Sequence, residues 1–239
     1  MYIPPCISID LCKCHILSAL IVVRRHVESE VYIILLFLAA KEPPKPRCKS
    51  RVDVGFLLDS SGSLANDYNK EKDFLKALAA TFGMESNGGR AGVITFSFDA
   101  EHSIKMSDHD NLFTFNDAVD KIPLMASTTR IDKALRLAQK EMFALSSGSR
   151  SGVKKMLILL TDGSQTNDIG AESPSKIANE IRQTGISTVV IGIGSGIDKS
   201  ELLRIAGSKD LVFNADSFAE LISVPFVNQV SDTSCEIGE

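Results

Sequence analysis

The stretch Val54-Gly55-Phe56-Leu57-Leu58-Asp59-Ser60-Ser61-Gly62-Ser63-Leu64 (VGFLLDSSGSL) changes character at Asp59. The residues before Asp59 are almost all apolar, as expected of a strand that is covered on both faces. The side chains of Asp59 and of the serines after it end in oxygen atoms, and a helical pattern begins near Asn66. A buried strand that ends in a tight loop of oxygen-bearing side chains predicts a site for a hard metal cation.

Strand-like and helix-like segments alternate along the chain from residue 52 onward. The predicted strands are 52–58, 91–96, 101–106, 156–161, 186–193 and 211–213, and the predicted helices are 66–82, 112–122, 131–145, 174–185, 201–206 and a closing helix capped by Ser217. Segment 101–106 reads as an edge strand antiparallel to its neighbour. This alternation predicts an α/β fold, a doubly wound, mostly parallel six-strand sheet flanked by helices. Ligands of such sheets bind outside the carboxyl ends of the strands.

A second buried strand also ends in an acid, because Leu159-Leu160-Thr161 is followed by Asp162. Two carboxylates on one rim of a sheet repel each other, and a divalent cation removes the conflict. Ser61 and Ser63 add hydroxyl oxygens, which suit Mg²⁺, while Cys and His ligands for zinc or copper are missing from these loops. The alternative is that the serine-rich run only caps a helix, although a cap needs just one of these residues.

Three motifs together resemble a von Willebrand factor type A (VWA) domain, the integrin I-like fold of matrilin- and collagen-type extracellular proteins. They are the DxSxS run that starts at Asp59, the loop STTRIDKAL at 127–135 and the strand ending LTDG at 160–163. The resemblance covers residues 48–235. It implies a metal-ion-dependent adhesion site, whose residues in this chain are Asp59, Ser61, Ser63, Thr129 and Asp162.

The resemblance also implies how this site works. The serines bind Mg²⁺ directly, with Mn²⁺ or Ca²⁺ as alternatives, and the remaining three residues bind it directly or through water. A Glu or Asp of a matrix or cell-surface partner, collagen included, completes the coordination. The protein is then a secreted adhesion or matrix module and not an enzyme. In the family, glycines often precede the threonine. Here Ser127 and Thr128 stand there, which predicts a stiffer loop.

Cysteines flank the predicted domain, with Cys48 at one edge, Cys235 at the other and none between them. This distribution is typical of a covalent link between the two ends of a domain and indicates an oxidising compartment. Connectivity cannot be read from sequence alone. Disulfide-linked members of the family place cysteines just outside the domain, so the resemblance implies a Cys48–Cys235 pair.

Residues 1–47 differ from the rest of the chain. The apolar runs 16–23 and 31–40 are shorter than the roughly 20 residues of a membrane-spanning helix. The second run has the length of a signal-peptide core and, together with the edge cysteines, indicates export. The residues before it then read as a mis-assigned or non-native start fused to a real secretory segment. Cys12-Lys13-Cys14-His15, even with Cys6, has no workable spacing for zinc. Segment 41–47 (KEPPKPR) is an extended linker, so the domain is predicted at 48–235 with a tail at 236–239.

Composition excludes several other functions. The net charge is −4 and tryptophan is absent, which argues against a nucleic-acid or anionic-membrane partner. The loop GIGSG at 192–196 has Ile197 where a dinucleotide-binding loop needs its third glycine, so we expect no nucleotide. A polar cluster around His102 and His109 reads as a solvated turn with a helix cap. Two alternatives remain: an intracellular VWA module in a larger complex, and a metal-dependent hydrolase, which lacks an evident general base.

Overall fold

The computed structural model describes residue 48, residues 51–84 and residues 88–236, together with the backbone of four two-residue strands before residue 48. The chain divides into two units, Met1–Pro43 and Pro44–Glu239. In the first unit β1 (Val22–Val23) pairs with β4 (Ile34–Leu35) and β2 (His26–Val27) with β3 (Glu30–Val31), both antiparallel. The early cysteines, the linker 41–47 and residues 237–239 lie outside the described residues, so the interpretations placed on them stay predictions.

The second unit contains one six-stranded sheet in the order β10-β9-β8-β5-β6-β7. Its strands are β5 (Val52–Asp59), β6 (Arg90–Phe96), β7 (Ala100–Ile104), β8 (Lys154–Thr161), β9 (Ser187–Ile193) and β10 (Val212–Ala215). Neighbouring strands run parallel except β6 and β7, which are antiparallel. The predicted fold class is therefore confirmed, including the antiparallel strand at the edge of the sheet.

The order of the strands reverses at β5. This strand pairs with β6 on one side and with β8 on the other, because the chain builds β6 and β7 first and then crosses to β8. At such a switch point the loops after the two central strands leave in opposite directions and open a crevice. Asp59 is the last residue of β5 and Asp162 is the first after β8, so both aspartates lie at this crevice.

Helices cover both faces of the sheet. They are α1 (Tyr68–Thr81), α2 (Leu112–Asp120), α3 (Ile131–Leu137), α4 (Pro174–Gln183), α5 (Lys199–Ala206), α6 (Phe218–Leu221) and α7 (Val224–Glu236). One apolar core joins the sheet to α1, α2, α6 and α7, and a second joins it to α3, α4 and α5. Along β5, Phe56 and Leu58 enter the first core while Leu57 enters the second, which is the alternation that a doubly covered strand requires.

Two predicted helices differ from the structure. The predicted helix 131–145 is α-helical only to Leu137 and continues as a wide π-helical turn, Ala138–Met142. In that turn Met142 packs against the sheet, where its Cγ lies 2.6 Å from the point that a Cβ on Gly55 would occupy. The spacing of apolar residues does not reveal this contact, because it depends on a glycine distant in sequence.

The predicted closing helix is two helices. Ser217 accepts a hydrogen bond from Glu220 N and so caps the short α6, not the final helix. Pro225 has no N–H to donate to the preceding turn, and a new helix, α7, starts at Val224. Two other helices begin with a side-chain cap: Ser173 accepts from Lys176 N at the start of α4, and Asp198 accepts from Glu201 N at the start of α5.

A disulfide joins Cys48 to Cys235 of α7, with the two Cα atoms 5.0 Å apart. The beginning and the end of the second unit are thus covalently tied. Among the residues that the structure describes, none of the helices is long and apolar enough to cross a membrane.

Candidate metal centre

Asp59 forms the floor of the crevice and is fully buried. Its Oδ1 accepts a 2.9 Å hydrogen bond from Ser61 N, and its Oδ2 accepts a 2.6 Å bond from the hydroxyl of Thr161. Burial raises the pKa of Asp59 to about 6, although these hydrogen bonds oppose the rise. The carboxylate is therefore firmly oriented, while its negative charge is poorly solvated.

The hydroxyls of the first loop connect the two sides of the crevice. Ser61 Oγ lies 3.1 Å from Ser63 Oγ, and Ser63 Oγ donates a 2.8 Å hydrogen bond to Asp162 Oδ1. Asp162 is half-buried, and burial raises the pKa of its carboxyl above the ordinary value. These side chains bring oxygen atoms from the ends of β5 and β8 together at one rim.

A second loop, between α2 and α3, docks on the first. Ala126 N donates to Ser60 O and Gly62 N donates to Ser127 O, both at 2.9 Å. The backbone of Ser127 also forms an isolated parallel bridge with Ser61. These contacts fix the position of the loop that carries Thr129.

Thr129 lies between the second loop and the loop after β8. Its N–H donates to Thr166 Oγ1 at 3.1 Å, and its carbonyl accepts from Thr166 N at 2.8 Å. Its hydroxyl lies 3.4 Å from the point that a Cβ on Gly163 would occupy, next to Asp162. The structure thus places all five residues named from the sequence, from three separate loops, at the same rim.

Ser97 holds the second loop, a role that the sequence motifs did not predict. Its hydroxyl accepts a 2.9 Å bond from Ser127 N and donates a 3.0 Å bond to Thr128 O. It is the first residue after β6, so its position at a strand end was a usable signal. Ser127, which with Thr128 replaces the family's glycines, is hydrogen-bonded through its N–H to Ser97 and through its carbonyl to Gly62 N. Ala126, just before it, adopts a left-handed φ of 54°.

A buried ion pair between Arg130 and Asp132 anchors the second and third loops. The sequence motifs did not predict this pair. Arg130 donates two 2.8 Å hydrogen bonds to the carboxylate of Asp132. Gln165, in the loop after β8, donates to the same carboxylate and accepts from Asp132 N. Glu172 N donates to it as well. This network connects the start of α3 to the loop that carries Asp162.

The glycine-rich loop after β9 supports the site sterically. A Cβ on Gly196 would lie 2.7 Å from the carbonyl oxygen of Asp162, so only glycine fits there without displacing that loop. Ser164 Oγ also donates to Gly196 O at 3.1 Å. The loop 192–196, for which the sequence predicts no nucleotide, thus contacts the backbone of a residue at the rim.

The residues at the rim fit a hard divalent cation. The donor set is two carboxylates and three hydroxyls, all oxygen. Burial raises the pKa of both aspartates, so each ionised carboxylate would gain from a cation beside it. Across the described ranges, no group of three or more His, Cys, Asp or Glu side chains is arranged to hold a metal ion, so the rim stands out by its two carboxylates with hydroxyls. The polar turn around His109 instead caps α2, since Thr114 N donates to Asn111 Oδ1.

The fold and the rim define a doubly wound α/β domain with an oxygen-lined site at its switch point. The chain belongs to the von Willebrand factor type A domain family, whose model matches residues 53–225. The resemblance seen in the three sequence motifs is thereby confirmed. The family model and the relatives below indicate no enzymatic family.

The chain is similar to larger proteins. It is 31% identical over 206 residues to the human collagen alpha-6(VI) chain, covering 82% of this chain and 9% of that one. It is 28% identical over 171 residues to von Willebrand factor A domain-containing protein 2 of Xenopus laevis, covering 71% of this chain and 21% of the relative. The chain thus spans a small part of these relatives.

A solved structure shares the fold. Proximal thread matrix protein 1 from the mussel byssus, described as having a zinc-occupied MIDAS motif, superposes with a TM-score of 0.71 at 31% identity. The match covers 80% of this chain and 47% of the mussel chain. A relative of the same fold therefore holds a divalent metal in the adhesion site.

Proposed function

We propose that this domain is an extracellular protein-binding module that depends on a divalent cation. The observation that supports it most directly is the hydrogen bond from Ser63 to Asp162, which joins the DxSxS loop to the second strand-end aspartate at 2.8 Å. Asp59, Ser61, Ser63, Thr129 and Asp162 are the residues proposed to hold the cation.

The side chains have distinct tasks in this proposal. Asp59 is held by Thr161 and Ser61 N, so it presents its charge in a fixed direction. Ser61 and Ser63 offer neutral oxygens, which leave the cation short of negative ligands. When bound, the cation supplies an electrophilic centre that attracts a carboxylate. We propose that a Glu or Asp of the partner provides it.

Mg²⁺ is the proposed cation, with Mn²⁺ and Ca²⁺ as alternatives. Carboxylate and hydroxyl oxygens are the ligands that Mg²⁺ prefers in proteins, and few of them are charged here. The zinc in the mussel relative supports a divalent metal without identifying it, so zinc belongs in the same test.

A matrix or cell-surface protein, collagen included, is the proposed partner, and secretion is the proposed destination. The Cys48–Cys235 disulfide supports an oxidising compartment. The names of the relatives, collagen VI chains and a thread matrix protein, support a role in extracellular matrix. Reduced cysteines in native material would favour an intracellular module of the same fold.

The test is a pull-down from matrix extract with the disulfide-bonded domain, run with Mg²⁺ and then with excess chelator. We expect capture with Mg²⁺, loss with chelator, and loss in the Asp59→Ala variant with the fold intact by circular dichroism. Asp117→Ala, which alters an exposed carboxylate of α2, is the matched control and should bind normally. Partner affinity that survives the chelator would contradict the proposal.

A further inference from the structure

Phe98 is a half-exposed aromatic residue beside the proposed cation site. It is the second residue after β6, and Phe96, the last residue of β6, is the register partner of Asp59. Neighbouring strands are about 4.8 Å apart and two peptide units span at most about 7.6 Å, so the Cα atom of Phe98 lies within about 12 Å of that of Asp59. The register of the sheet thus places an exposed aromatic ring at the rim.

The Phe98 ring is held in position by its neighbours. Lys133 of α3 places its ammonium 4.2 Å from the centroid of the ring and also pairs with the carboxylate of Asp99. Ser97 N donates to Asp99 O at 2.8 Å, which closes the turn that carries Phe98, and Arg130 N donates to Ser97 O at 3.0 Å. Because the ring is positioned before any partner arrives, a partner that packs on it loses little conformational entropy.

Two further apolar side chains are exposed on loops of the rim. Met125 belongs to the second loop, and its N–H donates to Ser60 Oγ at 2.7 Å. Ile169 is fully exposed in the loop after β8 and follows Asp168, whose carboxylate lies 3.9 Å from Arg130 Nη1. Three of the eight large apolar residues that are exposed in the described ranges therefore surround the cation site. Such a concentration of apolar surface is typical of a site that binds another protein.

The charged groups among these side chains oppose a second acid on the partner. Lys133 is engaged by Asp99, and Arg130 is engaged by Asp132 and more distantly by Asp168. Asp99 and Asp168 are themselves exposed, so a run of acids on the partner would meet like charges, which costs affinity. An apolar neighbour of the partner's acid would instead meet the exposed aromatic ring.

We propose that Phe98 is a specificity-determining residue of the binding surface, and that the acid of the partner has an apolar side chain two positions away in an extended segment. This inference rests on the proposed function. Side chains two positions apart in an extended chain point to the same side, and their Cα atoms are about 7 Å apart, which fits the separation of the rim from Phe98. When the carboxylate reaches the cation, the apolar side chain packs on the ring. The partner is then a protein that offers a lone acid beside an apolar residue.

The experiment measures capture of the disulfide-bonded domain by beads that display a synthetic peptide, in Mg²⁺ and in excess chelator. One peptide carries leucine, glycine and glutamate in that order within a chain of glycine and serine, and a second carries them in the reverse order. In matched peptides serine or aspartate replaces the leucine. We expect the better leucine peptide to bind roughly fivefold more tightly than its serine counterpart, because the leucine side chain is partly removed from water on the ring. The aspartate peptides should bind more weakly than the serine peptides.

Variants of Phe98 test the residue itself. In Phe98→Ala the preference for leucine should disappear, while Mg²⁺ binding, measured by calorimetric titration, and thermal unfolding stay as in the wild type. Phe98→Leu should restore part of the preference. Phe113→Ala is the matched control, because Phe113 is an exposed phenylalanine at the start of α2, which the chain reaches after β7 has run antiparallel away from the rim. This control should keep the full preference.

Each outcome decides the question. Equal capture by the leucine and serine peptides, capture by neither, or a preference that is unchanged in Phe98→Ala would overturn this inference. The proposed function would still stand if the wild type binds a divalent cation and captures a matrix protein that the chelator releases. Failure of the wild type to bind Mg²⁺, Mn²⁺, Ca²⁺ or Zn²⁺ would overturn both.

Discussion

Thr161 donates a 2.6 Å hydrogen bond to Asp59, across the boundary between β8 and β5 and over 102 positions of sequence. Each residue ends one of the two strands that meet where the order of the sheet reverses. Among the described residues outside the loop of Ser61, the Thr161 hydroxyl is the one side-chain donor to the buried Asp59 carboxylate. The strand that precedes Asp162 thus also orients Asp59.

We expect Thr161→Val to weaken binding of Mg²⁺ about tenfold, because a buried carboxylate that loses a hydrogen bond loses about 1–3 kcal/mol and its fixed direction. Calorimetric titration at constant pH measures this. Thr95→Val is the matched control: Thr95 is a buried threonine of β6 whose hydroxyl pairs with Ser103 at 2.6 Å. Equal affinities in the two variants would show that Thr161 does not position Asp59.

The sequence was sufficient for the fold and for the strand-end residues. Asp59 and Asp162 follow apolar runs, and the carboxyl ends of parallel strands share an edge, so their proximity could be inferred. Thr129 was accessible only through the resemblance, because its hydroxyl reaches the rim from a loop whose docking depends on Ser60 and Gly62 backbone contacts. Such contacts between distant loops leave no periodic signal.

The buried position of Glu71, an acid on α1, was not predicted for a different reason. It stands three and four positions before Phe74 and Leu75, so the helical spacing places it on the apolar stripe of α1. A charged residue is ordinarily exposed, and the spacing alone gave no means of deciding between the stripe and the charge. Only the three-dimensional structure shows that the acid is buried, with neither carboxyl oxygen hydrogen-bonded to a described residue.

We expect Asp132→Asn to lower the free energy of unfolding by about 3 kcal/mol at pH 7, because the buried Arg130 loses its close ion pair and keeps only the carboxylate of Asp168, 3.9 Å away. Burial disfavours ionisation of Asp132, but hydrogen bonds from Arg130, Glu172 N and Gln165 outweigh it and lower its pKa to about 2. Since the folded pKa lies below the ordinary value of 3.8, the stabilisation is full above about pH 4 and is lost as the pH falls towards 2.

Urea unfolding at pH 7 and at pH 3 measures this effect. The difference between Asp132→Asn and the wild type should shrink at the lower pH. Asp117→Asn, which breaks an exposed pair with Lys121, should cost less than about 1 kcal/mol at either pH. An Asp132→Asn protein as stable as the wild type at pH 7 would argue against this ion pair as an anchor of the loops.

Reduction of Cys48–Cys235 should lower the free energy of unfolding by about 2–5 kcal/mol, because the bond closes a long loop of the unfolded chain. The two cysteines are 187 positions apart. Thermal unfolding with and without a reductant measures the change. The double variant Cys48→Ser with Cys235→Ser should unfold at the temperature of the reduced protein and be insensitive to reductant. Identical melting of the oxidised and reduced proteins would contradict the prediction.

Replacement of Glu71 by leucine should stabilise the cation-free domain by about 1–4 kcal/mol, because a buried acid without a partner gives way to an apolar side chain of similar volume. The effect should grow with pH. The pKa of Glu71 is raised in the folded state, so the folded protein keeps a proton that the unfolded chain releases, and wild-type stability falls as the pH rises above about 4.5.

Chemical unfolding in excess chelator from pH 5 to pH 8 measures this dependence. Asp59, whose pKa is also raised, contributes a slope of the same sign in both proteins, so Glu71→Leu should reduce the slope without abolishing it. Asp73→Asn, which alters an exposed carboxylate of the same helix paired with Lys76, is the matched control. Parallel stability curves for wild type and Glu71→Leu would mean that Glu71 does not hold a proton in the folded state.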